Sequence, residues 1–510
     1  MGEAFSDFWA NITQYIFWFN MLLGVLLVFF ERKNTSTLWA WLLVMFFAPV
    51  LGFLVYLYMG QDLRKTKMFK AKQAEDMNQI AEIQRRRIDS GQNRSIIENR
   101  SDTRRDGYER YERYMDTLRM LLSSGQSVIS DNNYVDIFTD GEDKFTSLLA
   151  DLRQATRYIY IQYYIFRGDE LGKQVMDILC QKAREGVDVR LLTDGMGSMT
   201  VKKEFFKRLR AAGGKVVVFF PPFIPYLNFR VNFRNHRKLV IVDGRIGYVG
   251  GFNVGDEYLG KGKLGYWRDT HLRIQGNAVD DMEMRFLLDW NYASPSKIRR
   301  DKFYGRNRAE EEYIPCVRRY PGAHPKFSNV VMQIVSSGPD SQWQNIRNGY
   351  LKFITEAEKK IYITTPYLVL DEVLLDNLRV AALSGLDVRI IIPGKADHMM
   401  IDGANWAFVG DLLEAGVRCY TYEKGFVHAK SIVVDDVLCS VGTANMDIRS
   451  FKLDFEVNAF MYSPDMAAEL TRTFMLDLES SREITRERYR NRSLWMRFKE
   501  SVMRLFSPLL

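Results

Sequence analysis

Two stretches decide the reading of this chain: "NHRKLVIVDGRIGYVGGFN" at residues 235–253 and "VHAKSIVVDDVLCSVGTAN" at residues 427–445. Each carries a His, a Lys two positions later, an Asp five positions after the Lys, and a glycine-containing turn that ends in Asn. His236 and His428 stand 428 − 236 = 192 residues apart, which is a domain-sized interval. On a strand, side chains i and i+2 point to one face, so His236 and Lys238 project together, as do His428 and Lys430.

Outward from these motifs the chain repeats itself in order. "FTSLLADLRQATRYIYIQYYIF" (145–166) matches "YLKFITEAEKKIYITTPYLV" (350–369), an amphipathic helix running into a buried strand. "AREGVDVRLLTDG" (183–195) matches "ALSGLDVRIIIPG" (382–394), and "LRAAGGKVVVFFP" (209–221) matches "LLEAGVRCYTYEKG" (412–425). Helices alternating with short β-branched strands predict α/β layers with covered sheets. Two tandem α/β domains follow, at 131–310 and 325–492, with a polar, Pro-containing join near 300–330. A length of 510 residues, 47% hydrophobic and 26% charged, suits about three globular units. Cys180, Cys316, Cys419 and Cys439 show no CxxC spacing, which argues against a zinc knuckle or a disulfide framework.

The first sixty residues have a different character. Residues 12–30 and 38–59 contain no charged side chain, and each run is long enough to cross about 30 Å of hydrocarbon as a helix. Trp9, Trp18, Trp39, Trp41, Tyr56 and Tyr58 cluster at their ends, as interfacial belts do. A transmembrane helical hairpin over 1–61 is expected, or a re-entrant one. Arg64, Lys65, Lys67, Lys70 and Lys72 follow it, whereas the first 31 residues hold no Lys or Arg. This bias places the rest of the chain in the cytoplasm and makes the protein multi-pass in a cell membrane. Residues 62–130 read as a basic, charged helical linker beside the bilayer. The apolar, proline-broken 216–230 suits an interfacial loop or a packed one. Residues 493–510 read as an amphipathic segment, with Trp495, Phe498, Val502 and Leu505 on one face. The net charge of +8 calls for an anionic partner, and the anchors favour lipid over nucleic acid.

The paired motifs suit phosphoryl transfer. A neutral imidazole is a nucleophile at neutral pH, and lysine and asparagine donors can hold the charged non-bridging oxygens while phosphorus is attacked. Gly250, Gly251 and Gly442 permit close backbone approach, and Asn253 and Asn445 add amide donors. Two facing copies supply a nucleophile and a proton donor with no metal or cofactor. Asp243 and Asp435 complete the motif, but their place at a strand-to-turn transition suits shaping that turn. His271, His324 and His398 have no matched partner and read as structural.

"HRKLVIVD" and "HAKSIVVD" resemble the HxKxxxxD signature of the phospholipase D superfamily. With "YLYMGQ", "YIQYYIF", "TTPYLVLDE", "NMDIRSFKLDFEVN" and the terminal "SPLL", the chain is similar to the bacterial cardiolipin synthases over its whole length. Gln162 stands where that pattern often has Glu, and Leu370 where it often has Pro. The resemblance implies two tandem phospholipase D-like domains, each a mixed sheet flanked by helices, related by a pseudo-twofold axis with both half-sites in one chain. It also implies a phosphatidyl-histidine intermediate, with His236 of the first copy as nucleophile. One phosphatidylglycerol then donates its phosphatidyl group and a second accepts it, giving cardiolipin and glycerol. A hydrolase or another transphosphatidylase would use the same site, and a non-catalytic membrane scaffold is disfavoured by the two intact motifs. Family chemistry further calls for an acid behind each histidine. Asp269, 33 residues after His236, and Glu456, 28 after His428, occupy that place in order.

Overall fold

The computed structural model describes residues 14–25 apart from 16 and 23, then 35–47, 69, 70, 72, 74, 76, 109–125, 127–221, 233–298, 313–317, 327–395, 397 and 399–505. At its centre two long strands, Ile129–Phe138 and Phe327–Ser337, pair antiparallel. Outward from the first run His271–Gln275, Ile246–Gly250, Leu239–Val242, Tyr158–Tyr163, Asp188–Asp194 and Lys215–Phe219. Outward from the second run Asp454–Tyr462, Leu438–Gly442, Ser431–Val434, Lys360–Thr364, Asp387–Pro393 and Arg418–Tyr422, with Ser481–Glu483 at the edge. The order is the same in both directions, so the two halves form one continuous mixed sheet about a pseudo-twofold at the central pair. In each half the outer three repeat strands are parallel and the inner ones antiparallel.

Parallel strands need cover on both faces, and here their sequences are nearly continuous apolar runs. On one face the helices Ala278–Ala293 and Pro464–Glu479 bury Met282, Phe286, Trp290, Met466 and Phe474 in a core shared by both halves. On the other face each half has its own core, under Gly141–Gln154 and Glu170–Arg184 in the first and Asn345–Thr355 and Glu372–Leu383 in the second. The repeat extends to the caps. Asp169 accepts from Gly172 N and Asp371 from Leu374 N, each opening the helix after its buried strand.

Several segments sit differently from the sequence expectation. The region expected to be a charged linker is partly built into the body. Phe69 is fully buried in the shared core, and the helix Met115–Gly125 packs Leu118 and Leu121 against Ile346 and Tyr350 of the second half. Apolar spacing within a charge-rich stretch hid both. Of 216–230, Val216, Phe219 and Phe220 are core residues and 222–230 lie outside the described residues. The expected hairpin is covered only in part: Thr35–Phe47 is helical, most of the rest lies outside the described residues, and among those described no helix is long and apolar enough to cross a membrane. The terminal helix Leu494–Leu505 docks on Met399–Glu414, with Arg504 donating to Asp411 at 2.6 Å. Leu494, Trp495 and Phe498 of that helix stay exposed.

Candidate active site

Two very short parallel ladders join the halves, and they build the site. Arg234–Asn235 pairs with Asp454–Phe455, and Gly425–Val427 pairs with Tyr266–Arg268. Each ladder stops one residue before a motif histidine. The next residue on the opposite strand is Glu456 in the first case and Asp269 in the second. His236 N donates to Phe455 O at 3.0 Å and His428 N to Arg268 O at 2.7 Å, which continues the register onto the histidines. Consequently His236 Nδ1 lies 2.8 Å from Glu456 Oε1, and His428 Nδ1 lies 2.7 Å from Asp269 Oδ2. Both acids do stand behind histidines, but each serves the other half. The order of the repeat had suggested own-copy pairs; the crossed ladders override it.

A carboxylate accepting from Nδ1–H fixes the tautomer and leaves Nε2 as the nitrogen turned away from the acid. Lys238 Nζ donates to His236 O at 2.6 Å, and Lys430 Nζ to His428 O at 2.5 Å. Lys430 Nζ also stands 2.9 Å from His428 Nδ1; with that nitrogen protonated towards Asp269, this is a close approach that opposes a positive ring. An ammonium has three donors, so each lysine retains capacity for phosphate oxygens.

Electrostatics separate the two half-sites. Burial, then Lys238, holds His236 well below the ordinary imidazole range, and His428 is near enough to add to the effect. Burial and the Lys430 ammonium bring His428 down to about 4, against the pull of Asp269. Burial lowers Lys238 to about 7 and Lys430 to about 8, with Glu456 and Asp269 respectively opposing. The acids diverge. Burial raises Glu456 despite Lys238, whereas for Asp269 the charges of Lys430 and His428 outweigh burial and lower it. Asp269 is therefore the firmer anion, and His428 the ring better placed to hold a proton.

The glycine turns have a definite reason. A Cβ on Gly251 would meet Asp269 Oδ1 at 1.9 Å, and one on Gly442 would meet Asn458 at 2.2 Å. The close approach is that of the protein's own groups. Thr443 matches Gly251 in the repeat, and its hydroxyl donates to Glu456 Oε2 at 2.5 Å.

One family profile, described as "Cardiolipin synthase, PLD-like domain", matches residues 148–274 and 350–478, and a second, "Phospholipase_D-nuclease N-terminal", matches 17–61. The chain is 49% identical to the major cardiolipin synthase ClsA of Bacillus subtilis, over 98% of this chain and 99% of that one. It is 44% identical to a cardiolipin synthase of Staphylococcus aureus, over 96% and 95%. It belongs to the cardiolipin synthase family. Among solved structures, the phosphatidylserine synthase of Haemophilus influenzae shares the fold, with a TM-score of 0.56 at 15% identity over 77% of this chain and 98% of that one.

Not every residue of the cardiolipin synthase signature gathers at the histidines. Asp243 accepts from the backbone N–H groups of Arg157 and Tyr158 at 2.7 and 2.9 Å and from Thr156 N at 2.8 Å. Asp435 accepts from Lys359 N at 2.8 Å and Lys360 N at 3.1 Å. Both stand in the left-handed region, with φ of 53° and 51°. They tie the far end of the motif strand to the start of the neighbouring buried strand. Asn253 accepts from Ile165 N at 3.1 Å and donates to Tyr258 OH at 3.0 Å, and Asn445 Nδ2 donates to Ser450 Oγ at 3.3 Å, so both amides are engaged in holding loops. His271 is wholly buried, its ring beside those of Tyr248 and Phe252. The sequence offered no sign of the aromatic walls: Tyr164 stands edge-on to His236 at 5.0 Å between ring centres, and Trp267 stands 5.2 Å from His428.

Proposed function

We propose that this cardiolipin synthase transfers a phosphatidyl group between two phosphatidylglycerol molecules. His236 Nε2 attacks the phosphorus of the first lipid while His428 protonates the departing glycerol oxygen. The phosphatidyl group is then held on His236, and glycerol leaves. His428, now neutral, removes a proton from the glycerol hydroxyl of the second lipid, whose oxygen attacks phosphorus and frees His236. Lys238 and Lys430 hold the non-bridging oxygens throughout. The bound phosphodiester is itself an anion, so it raises the basicity of His428 from its ligand-free value towards the working range. The observation that carries this reading is the pair of crossed His–acid contacts, with the more persistently neutral ring at His236.

The apolar residues 1–61 anchor the chain in this reading, with the catalytic halves on the cytoplasmic side. Exposed Leu494, Trp495 and Phe498, flanked by the exposed Arg490 and Arg497, form a second contact with a bilayer bearing anionic headgroups. The test is purified protein given phosphatidylglycerol as the sole lipid. Cardiolipin and glycerol should appear in equal amounts, whereas phosphatidic acid with glycerol would make the protein a hydrolase.

A further inference from the structure

Behind the first motif lies a buried ionic cluster that the chemistry above does not use. His236 and Lys238 face the site, whereas Arg237, between them in the short link from Arg234–Asn235 to Leu239–Val242, turns its side chain into the protein behind it. Its guanidinium binds Asp289 through both carboxylate oxygens at 2.7 and 2.6 Å and donates to the carbonyls of Glu456 and Ser337, each at 3.1 Å. Asp289 also accepts from Arg285 at 3.1 Å. The cluster is completed from outside the repeat. Lys72 donates to Asp340 at 2.6 Å and Asp76 at 2.5 Å and stands 3.7 Å from Asp289, and Arg285 donates to Asp76 at 2.8 Å. Among the described residues three cations, Lys72, Arg237 and Arg285, balance three carboxylates, Asp76, Asp289 and Asp340, and removal of Lys72 alone leaves one net negative charge among them. The carboxylates outweigh burial and raise Lys72 above the ordinary lysine value.

Phe69 sets the same segment in place one turn earlier. Its ring packs against Phe233 at 5.2 Å and Phe455 at 5.5 Å; Phe233 precedes the ladder that delivers His236 to Glu456, and Phe455 belongs to it. The second half has a simpler counterpart, in which Arg268, on the ladder that delivers His428 to Asp269, donates to Asp477 at 2.9 Å. Ala429 occupies the place of Arg237 in "HAK", and it is buried in apolar core.

We propose that Lys72 is a positioning residue for His236: through Asp289 and Arg237 it holds the first motif in register with Glu456. The membrane-proximal segment thereby becomes part of the first half-site. Phe69 lies ten positions beyond Met59, the last of the expected second span, a reach of at most about 35 Å. The half-site that forms the covalent intermediate is thus fixed close beneath the bilayer. This inference rests on the reading of His236 as nucleophile.

The experiment uses the full chain in mixed micelles of detergent and phosphatidylglycerol, with Lys72→Met, Lys72→Arg and Asp76→Asn beside the wild type. The folded fraction is measured by near-ultraviolet circular dichroism and gel filtration, and kcat, KM and label on His236 are referred to folded protein. Lys72→Met should lower kcat about ten- to hundred-fold, as expected when a reacting group is displaced by a fraction of an ångström to an ångström. KM should be little changed, label on His236 should form correspondingly slowly, and Lys72→Arg should recover most of the loss. A folded Lys72→Met protein with wild-type kcat would overturn the inference, as would a loss accounted for by KM or by folded fraction alone, or a Lys72→Arg variant no better than Lys72→Met. If Lys72→Met does not fold, Asp76→Asn decides, since a smaller fall in kcat supports the inference and wild-type kcat overturns it. Absence of label on His236 in the wild type would overturn the catalytic reading, and this one with it.

Discussion

The crossed acids make a sharp prediction when Asp269→Asn and Glu456→Gln are compared. Both variants keep a hydrogen-bonding group behind the imidazole and remove its charge. Asp269 lies 2.7 Å from His428 and Glu456 2.8 Å from His236, so imidazolium and carboxylate are centred about 4 Å apart and interact by about 4 kcal/mol at an effective dielectric near 20. Lys430 beside His428 offsets part of this. A net of about 2–4 kcal/mol corresponds to a loss of roughly thirty- to thousand-fold. The affected step distinguishes the halves. With phosphatidylglycerol, Asp269→Asn should slow formation of the labelled intermediate, because His428 must donate a proton to glycerol. With the p-nitrophenyl ester of phosphatidic acid, whose leaving group needs no proton, the same variant should label His236 at close to the wild-type rate. Glu456→Gln should be slow with both lipids, since it weakens the nucleophile itself. Quench-flow with radiolabelled lipid measures each rate. If label remains on His236 while Asp269→Asn is slow with the p-nitrophenyl ester and Glu456→Gln is not, the acids serve their own copies and the geometric argument fails.

Four further outcomes are expected. His236→Ala should abolish the covalent intermediate, while His428→Ala should still label His236 slowly from the p-nitrophenyl ester; peptide mapping that found label on His428 in His236→Ala would reverse the roles. Gly251→Ala places a Cβ 1.9 Å from Asp269 Oδ1, so it should displace that carboxylate and lower both kcat and Tm, and an alanine variant with unchanged kcat would contradict the packing. His428 has a folded pKa of about 4 against an ordinary value of 6.5, so the unfolded chain takes up the proton first and the ligand-free protein should lose up to about 3 kcal/mol as pH falls from 6.5 to 4. Denaturant melts across that window check the sign. Binding a non-reactive phosphodiester lipid near pH 7 should draw protons onto Lys238 and His428, read as buffer-dependent calorimetric heat; proton release would contradict it.

The repeat, the α/β layering and the two His–Lys pairs were legible because each rests on local pattern: β-branched runs for covered strands, a two-residue period for a shared face, and one motif written twice. The acids came from the resemblance, which calls for one behind each histidine, and their matched order in the two copies located them. Their partners were not legible, because the deciding contacts are ladders two and three residues long between segments some 160 to 220 positions apart, and no periodicity marks such a contact. Phe69 and Lys72 were hidden for a related reason. A lone aromatic and a lone lysine in a charged stretch look solvated until the cavity that receives them is known. The glycine turns mark places of close approach without saying what approaches, and at Gly251 it is the protein's own Asp269.

The central pairing of Ile129–Phe138 with Phe327–Ser337 runs through the middle of the molecule as an antiparallel ladder whose register shifts on either side of Asn133, and it has a kinetic meaning. Two lobes joined by a flexible connection can gape, admit both reactants and shut upon them. Two lobes sharing one sheet have no such hinge. Turnover here then proceeds by succession: the first lipid leaves part of itself behind, its alcohol departs, and the second arrives at a cavity whose walls have not moved. With one lipid serving as both donor and acceptor, the initial rate should accordingly rise hyperbolically with phosphatidylglycerol, as for a double-displacement enzyme, without the sigmoid onset that simultaneous binding of two lipids would give.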